Sequence, residues 1–116
     1  MSLQIKQTSY NIGGDIIKAN SVYTLRDNKT LKNLVLSQTI LHVSQNTNGH
    51  YHDGQEEVYF FVQGWGKMIV GDEDSEPFIV GPGDIVLIPD GAFHRVINDG
   101  DSNMLFNCVF DGKRNH

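Results

Sequence analysis

The sequence predicts an all-β fold of the sandwich or small-barrel type. Its 12 glycines and 3 prolines divide 116 residues into segments of strand length, and these segments are rich in β-branched and aromatic side chains. No segment carries a sustained helical period. Regularly spaced short strands with turns between them are typical of packed antiparallel sheets.

The strands are predicted from apolar, β-branched runs that are bounded by turn signals. Two weaker runs come first, at Asp15 to Ala19 and Ser21 to Leu25. The stronger runs are Leu34 to Val43, Glu57 to Val62, Lys67 to Val70, Phe78 to Val80, Ile85 to Ile88, His94 to Ile97 and Met104 to Phe110. Turn signals such as Asp27-Asn28 and Asp53-Gly54 separate them. The acidic run at 72–76 lacks calcium-loop spacing and is predicted to be a solvated hairpin loop.

Composition limits the partners and the compartment. Nine basic and 14 acidic residues give a formal net charge of −5, which disfavours nucleic acid and anionic membrane surfaces as partners. Cys108 is the single cysteine, so an internal disulfide is excluded, and its apolar neighbours at alternate positions predict a buried inert thiol. The sequence shows neither a signal-peptide pattern nor an apolar run of membrane-spanning length. We therefore expect one cytoplasmic domain over residues 1–116.

Four polar side chains form the strongest chemical pattern, namely His50, His52, Glu57 and His94. The first two histidines are two positions apart, so on an extended strand their imidazoles project from the same face, which suits two ligands of one metal ion. Glu57 follows a turn and opens the next strand, which can bring its carboxylate alongside the pair. His94 also opens a strand after a turn and is predicted to arrive from across the barrel.

Each of these side chains also has an ordinary structural interpretation, as a loop histidine, a solvated carboxylate or a hydrogen-bonded strand histidine. Their common setting favours a metal. If Glu57 faces the interior, Tyr59 and Phe61 do so as well by the period of two, and the carboxylate enters an aromatic-lined space. An unpaired buried polar group costs about 1–3 kcal/mol, and a single cation satisfies all four groups at once.

Two runs that contain these residues resemble the motifs of the cupin superfamily. The first lies within residues 44–64 and the second within residues 83–98. Their matching positions are His50-Tyr51-His52, Glu57 and Gly64, then Gly83, Pro89-Asp90-Gly91, His94 and Asn98. The resemblance implies a jelly-roll barrel (a double-stranded β-helix) with His50, His52, Glu57 and His94 as metal ligands. Ser44 departs from the pattern, because the first motif usually opens with glycine there.

The donor set leaves the metal and the reaction open. Three imidazoles and a carboxylate suit one divalent ion of Mn, Fe, Co, Ni or Zn. Such an ion can polarise a hydroxy-carbonyl compound and acidify the proton next to its carbonyl. Our first hypothesis is therefore a metal-dependent isomerase or epimerase that acts on a sugar or sugar phosphate. The alternatives are an iron- or nickel-dependent dioxygenase and a non-catalytic, metal-stabilised module that binds a small ligand or regulates a partner.

A narrower similarity, to cupin-type glucose-6-phosphate isomerases, supports the first hypothesis. The runs that carry it are Thr47-Asn48-Gly49-His50-Tyr51-His52, Glu57-Val58-Tyr59 and Gly64-Trp65-Gly66. A basic phosphate pocket is less evident. Lys67 and Arg95 are the candidate cations, but the period of two turns Arg95 away from the face of His94. A neutral sugar or a small hydroxy acid is therefore an open alternative to a sugar phosphate.

Tyr59 is the candidate catalytic acid or base, because it shares the parity of Glu57 and carries a titratable hydroxyl. Its structural alternative is a core tyrosine. His42 precedes the first motif, and a structural role is favoured for it.

The outer face of the predicted strand Glu57 to Val62 indicates that the protein forms an assembly. Val58, Phe60 and Val62 have the opposite parity from Glu57, so three apolar side chains leave the barrel interior. A second sheet or the N-terminal segment around Ile16-Ile17 is one possible cover within the chain. A two-fold partner is the other, and we expect this homodimer.

Overall fold

The computed structural model describes residues 5–51 and 53–113, and within them nine strands form two antiparallel sheets. In chain order these are β1 (Asp15–Ala19), β2 (Tyr23–Asn28), β3 (Leu34–Leu41), β4 (Glu57–Gln63), β5 (Gly66–Gly71), β6 (Phe78–Val80), β7 (Ile85–Ile88), β8 (Phe93–Ile97) and β9 (Met104–Asp111). The larger sheet has the order β1-β2-β3-β9-β4-β7 and the smaller has β6-β5-β8. In the described part of the chain we find no helix with the length and apolar character needed to cross a membrane.

Each predicted strand is present, and the bounds agree with the prediction to within one residue except in β2 and β3. β3 ends at Leu41 rather than Val43, because the chain turns there: the amide of Gln45 donates to the carbonyl of His42 at 3.1 Å. Ser44, in the same turn, has a φ of 64°. A glycine tolerates that conformation without penalty, so the structure explains why glycine is usual at this motif position.

The second strand is displaced towards the C-terminus. The side-chain oxygen of Asn20 accepts the amides of Val22 and Tyr23 at 2.8 and 3.0 Å, and this local turn delays the start of β2 to Tyr23. The predicted turn at Asp27-Asn28 is wrong, since both residues are paired in β2. Asp27 is buried opposite Ser37 of β3, so the sheet overrides the local turn preference.

The apolar core lies between the two sheets. Leu41 and Met104 from the larger sheet and Met68 and Val96 from the smaller are almost completely buried. In β4 the predicted alternation is confirmed: Glu57, Tyr59 and Phe61 are buried, whereas Phe60 is 36% exposed. The interior face of β4 therefore changes along the strand from a carboxylate to aromatic rings.

The segment 45–50 runs antiparallel beside β8 and extends the smaller sheet. The Thr47 amide donates to the Val96 carbonyl at 2.9 Å, and His50 forms a bridge with His94. Asn98 anchors the start of this arrangement, because its buried amide nitrogen donates to the carbonyls of Leu41, His42 and Ser102. Asn98, the asparagine of the second motif, thus joins the end of β3 to the loop between β8 and β9.

The N-terminal segment covers part of the outer face of the larger sheet. The carbonyl of Ser9 accepts hydrogen bonds from Gln38 at 3.3 Å and Asn107 at 3.0 Å, and both side chains are buried beneath the segment. Ile16 and Ile17 are 54% and 44% exposed, so they do not form the cover that was one alternative to a two-fold partner. β1 does not cover the outer face of β4, because strand pairing puts β1 at the edge of the larger sheet that is farthest from β4 and β7.

Candidate metal centre

Backbone pairing holds His50 beside His94. The amide of each residue donates to the carbonyl of the other, at 3.2 and 3.1 Å. Directly opposed residues of an antiparallel pair project from the same face, so both imidazoles point towards the larger sheet. Their ring centroids are 4.6 Å apart and the rings are inclined at 72°. This pair of histidines is therefore positioned by the main chain.

Glu57 reaches the same place from the larger sheet. Its Oε2 atom lies 3.8 Å from Nε2 of His94, and both side chains are buried. Nδ1 of His94 is 3.2 Å from the carbonyl oxygen of Ala92. A carbonyl only accepts, so Nδ1 carries the proton and Nε2 directs its lone pair towards the carboxylate. Two electron-pair donors thus converge, an arrangement that suits a cation.

Burial also favours the metal-binding form of His94. Desolvation lowers the pKa of this imidazole, and the hydrogen bond to the Ala92 carbonyl acts in the opposite direction. A neutral imidazole is the form that coordinates metal ions.

The predicted donor set is only partly visible. Glu57, His94 and His50 come together, whereas His52 lies outside the described residues. Within residues 5–51 and 53–113, no three histidine, cysteine or acidic side chains meet the geometry needed to hold a metal ion by themselves. The chemistry of two imidazoles and a buried carboxylate nevertheless fits a divalent transition metal.

A cavity of about 440 Å³ adjoins these donors. Its wall includes His50, Glu57, Tyr59 and His94, so the predicted donors face a space large enough for a small organic molecule. Further polar side chains line it: Lys18, Asn20, Asn46, Thr47 and Asn48. Sequence reasoning missed these residues, since only the pairing of distant segments brings them to one cavity.

Tyr59 lies in the cavity wall next to the donors. Its ring centroid is 5.9 Å from that of His94, and it stacks on Phe106 with a centroid separation of 5.4 Å. Burial, with a smaller contribution from Cys108, raises the pKa of the Tyr59 hydroxyl well above its usual value. The side chain is both a core aromatic residue and a wall of the cavity, so it combines the two interpretations that the sequence left open.

Cys108 is also in the cavity wall and is buried, as predicted. Burial raises the pKa of its thiol to about 12, with the charge of Asp27 acting in the same direction. The thiol therefore stays protonated at neutral pH, which is the unreactive form.

The other titratable residues singled out in the sequence are engaged elsewhere. Nδ1 of His42 is 3.0 Å from the carbonyl oxygen of Ser21. Lys67 forms an exposed ion pair with Asp99 at 3.3 Å, and Arg95 donates to the carbonyl of Asn48 at 2.8 Å. Neither of these cations belongs to the cavity wall.

Two antiparallel sheets that pack against each other beside a cavity are typical of a jelly-roll fold. The family model described as "Cupin domain" matches residues 39–110. The chain belongs to the cupin family.

The chain is similar in sequence to part of two curated glucose-6-phosphate isomerases. The glucose-6-phosphate isomerase of Thermococcus litoralis is 35% identical over 74 residues, which cover 60% of this chain and 39% of that protein. The corresponding protein of Pyrococcus furiosus is 30% identical with the same coverage. The chain thus spans about two-fifths of the length of the curated relatives that it matches.

Solved structures show the same fold at low sequence identity. KdgF from Halomonas sp. has a TM-score of 0.73 and 16% identity, covering 86% of this chain and 89% of that one. Bacillus subtilis oxalate decarboxylase, in a study of its Mn(II) centres, has a TM-score of 0.75 and 19% identity, covering 88% of this chain and 29% of that one. The jelly roll expected from the sequence is confirmed.

Proposed function

We propose that this protein is a metal-dependent isomerase or epimerase that acts on a hydroxy-carbonyl compound of the sugar or sugar-phosphate type. The observation that carries the proposal is the 3.8 Å approach of Glu57 to His94 at the wall of the cavity. We assign His50, His52, Glu57 and His94 as the ligands of one divalent ion of Mn, Fe, Co, Ni or Zn.

The comparisons support this choice of reaction over the alternatives. The relatives with the most extensive sequence similarity described above are named glucose-6-phosphate isomerases. The Mn(II) centres named for oxalate decarboxylase support a transition metal in this type of fold, although that protein shares only 19% identity with the chain. Since the chain spans 39% of the isomerase from T. litoralis, the activity of the whole relative is proposed for this chain and not transferred to it.

The chain's own residues supply binding and proton transfer. A divalent metal, when bound, supplies Lewis-acid polarisation of a carbonyl oxygen. The aromatic wall formed by Tyr59 and Phe106 packs against the carbon skeleton of the substrate, and the Tyr59 hydroxyl contacts a substrate oxygen. In an isomerisation, Tyr59 carries a proton from the hydroxyl-bearing carbon to the carbonyl carbon, while the hydroxyl proton moves to the former carbonyl oxygen. In an epimerisation, the proton is returned to the opposite face of the same carbon. The product is then an isomer, and no oxidant or reductant is consumed.

The test begins with metal analysis of protein purified without a histidine tag. Metal-loaded protein is then incubated in D₂O with a panel of sugars and sugar phosphates, and proton–deuterium exchange at carbon is followed by NMR. We expect exchange with at least one hydroxy-carbonyl compound. In Tyr59→Phe the metal content should stay the same while exchange falls by about 100-fold, the lower range for a lost acid–base group.

The same incubation separates the alternatives. Consumption of dissolved oxygen without isotope exchange would replace the isomerase by a dioxygenase. Stoichiometric metal with neither exchange nor oxygen uptake on the whole panel would favour a ligand-binding module.

We also propose that the protein is a homodimer formed through the outer face of β4 and β7. Phe60 pairs with Ile85 and Val58 with Leu87, and directly opposed residues share a face. Ile85 and Leu87 are 61% and 71% exposed. The patch includes the edge strand β7 of the larger sheet, and the β9 neighbour of Phe60 is Asn107, which donates to the carbonyl of Ser9 in the N-terminal segment. A two-fold copy would bury this apolar edge on both subunits.

A further inference from the structure

A bulge in β1 turns a lysine towards the cavity. Asp15 and Ile16 of β1 pair with Asp27 and Arg26 of β2, but the next pair is Lys18 with Leu25, so Ile17 is an extra residue. In a regular ladder Ile17 would stand opposite Leu25. The bulge therefore places Lys18, and not Ile17, opposite Leu25.

The inner face that Lys18 joins is the cavity face. Leu25 is buried and lines the cavity, and directly paired residues of antiparallel strands project from the same face. Lys18 lines the cavity as well, and it is exposed, so it stays in contact with water. A long side chain can keep its ammonium hydrated at a cavity mouth, which retains the positive charge.

Lys18 provides a charge that the rest of the cavity lacks. Among the described residues of the wall it is the sole lysine or arginine, and Glu57 is the sole carboxylate. The other polar side chains that contribute to the wall near it, such as Asn20 and Asn48, are neutral. An incoming molecule thus meets one fixed cation on β1, on a different strand from the histidines and Glu57.

We propose that Lys18 binds a carboxylate of the substrate, which makes the substrate a sugar acid or another hydroxy acid. A single ammonium matches a monoanion. Phosphate groups are more often held by arginine forks or by several main-chain amides, and the described wall contains no arginine. The inference rests on the proposed function for the reacting end of the substrate, whereas the contact between Lys18 and the anion does not depend on the metal.

The test uses three ligands that share one sugar ring: glucose, glucuronate and glucose 6-phosphate. Their affinities for the full chain are measured by calorimetry, with and without added Mn²⁺. We expect glucuronate to bind most tightly. Lys18→Gln should weaken glucuronate about tenfold or more, the usual effect of losing a charged hydrogen bond, and leave glucose unchanged.

Two matched variants distinguish the effect of where the ammonium lies from the effect of the protein's net charge. Lys67→Gln removes the same charge from the ion pair with Asp99, outside the cavity wall, and should leave glucuronate binding unchanged. Ile17→Lys combined with Lys18→Ile keeps the composition of β1 but moves the ammonium to position 17, which does not line the cavity. It should lose glucuronate binding as Lys18→Gln does.

Several results would overturn the assignment of Lys18. These are equal binding of glucose and glucuronate, equal weakening by Lys18→Gln and Lys67→Gln, or no binding of any ring at millimolar concentration. Tighter binding of glucose 6-phosphate than of glucuronate would overturn the assignment of a carboxylate as the group that Lys18 binds. A Lys18-dependent preference for glucuronate in protein that shows no isotope exchange would support this inference while rejecting the proposed reaction.

Discussion

Nε2 of His94 lies 3.8 Å from Oε2 of Glu57, although the first residue belongs to the smaller sheet and the second to the larger. Neither sheet contains this contact alone. The candidate centre therefore exists only where the two sheets pack together, so an ion bound there would stabilise the packing of the sheets by mass action.

Replacement of His94 by alanine should abolish that stabilisation. With free metal at about 100 times its dissociation constant, the unmodified protein should gain about 3 kcal/mol in free energy of unfolding, and His94→Ala should gain almost none. Elemental analysis should show a matching loss of bound metal. His42→Ala is the control, because His42 contacts the Ser21 carbonyl instead of the cavity. Equal metal content in the two variants would contradict the ligand assignment.

Gly49 and Gly54 provide a matched pair of substitutions. Both have positive φ, at 72° and 77°, so alanine costs about 1–2 kcal/mol of backbone strain at either site. At Gly49 a Cβ atom would also come within 2.5 Å of the Phe93 ring, whereas at Gly54 nothing lies within 4 Å. In denaturant titrations we expect Gly49→Ala to lose at least about 1 kcal/mol more stability than Gly54→Ala.

The same pair tests the position of His50. Gly49→Ala should weaken metal binding, because Gly49 precedes His50 and its neighbour Phe93 precedes His94. Equal stability and equal metal affinity in the two variants would show that the segment relaxes without moving the histidine.

Replacing Ser44 by the glycine that the cupin motif usually carries at this position should stabilise the protein. Its φ of 64° is costly for a residue with a Cβ atom. Ser44→Gly relieves this strain but adds chain entropy to the unfolded state, so the net gain should be about 0.5–1 kcal/mol in free energy of unfolding. Ser21→Gly, at a serine without positive φ, should be neutral or destabilising. A loss of stability in Ser44→Gly would mean that the serine side chain contributes more than the strain costs.

The homodimer predicts a specific response to charge on the outer face. Light scattering at micromolar concentration should return about twice the chain mass of 13.0 kDa. Phe60→Asp and Leu87→Asp should both shift the protein towards the monomer. Ile79→Asp is the control, since Ile79 is 69% exposed but lies on β6 of the other sheet. A monodisperse 13.0 kDa species for the unmodified protein would reject the dimer.

Local patterns in the sequence were sufficient for the strands and for the inner face of β4. Glu57, Tyr59 and Phe61 alternate with apolar residues that point outwards, and a period of two requires no knowledge of distant partners. The resemblance to the two cupin motifs then indicated which polar residues should meet.

Pairing between distant segments accounts for what sequence reasoning missed. The run Asp15–Ala19 reads equally well with Ile17 or Lys18 facing inwards, and the pairing with β2 decides between them. The Asp27-Asn28 pair has the composition of a turn, but Asp27 is held in β2 by its partner in β3. In both cases the register of a neighbouring strand determines the outcome.

The main-chain bridge between His50 and His94 has a consequence for divergence within this architecture. Main-chain hydrogen bonds and the Thr47 hydroxyl, which accepts from the Val96 amide at 3.0 Å, hold the segment beside β8, while Asn46 and Asn48 also line the cavity. Substitutions at Asn46 and Asn48 can therefore alter which molecules fit while leaving the histidine pair in place. In this fold, the contacts that position the candidate metal centre are therefore separate from the side chains that can determine which molecule binds there.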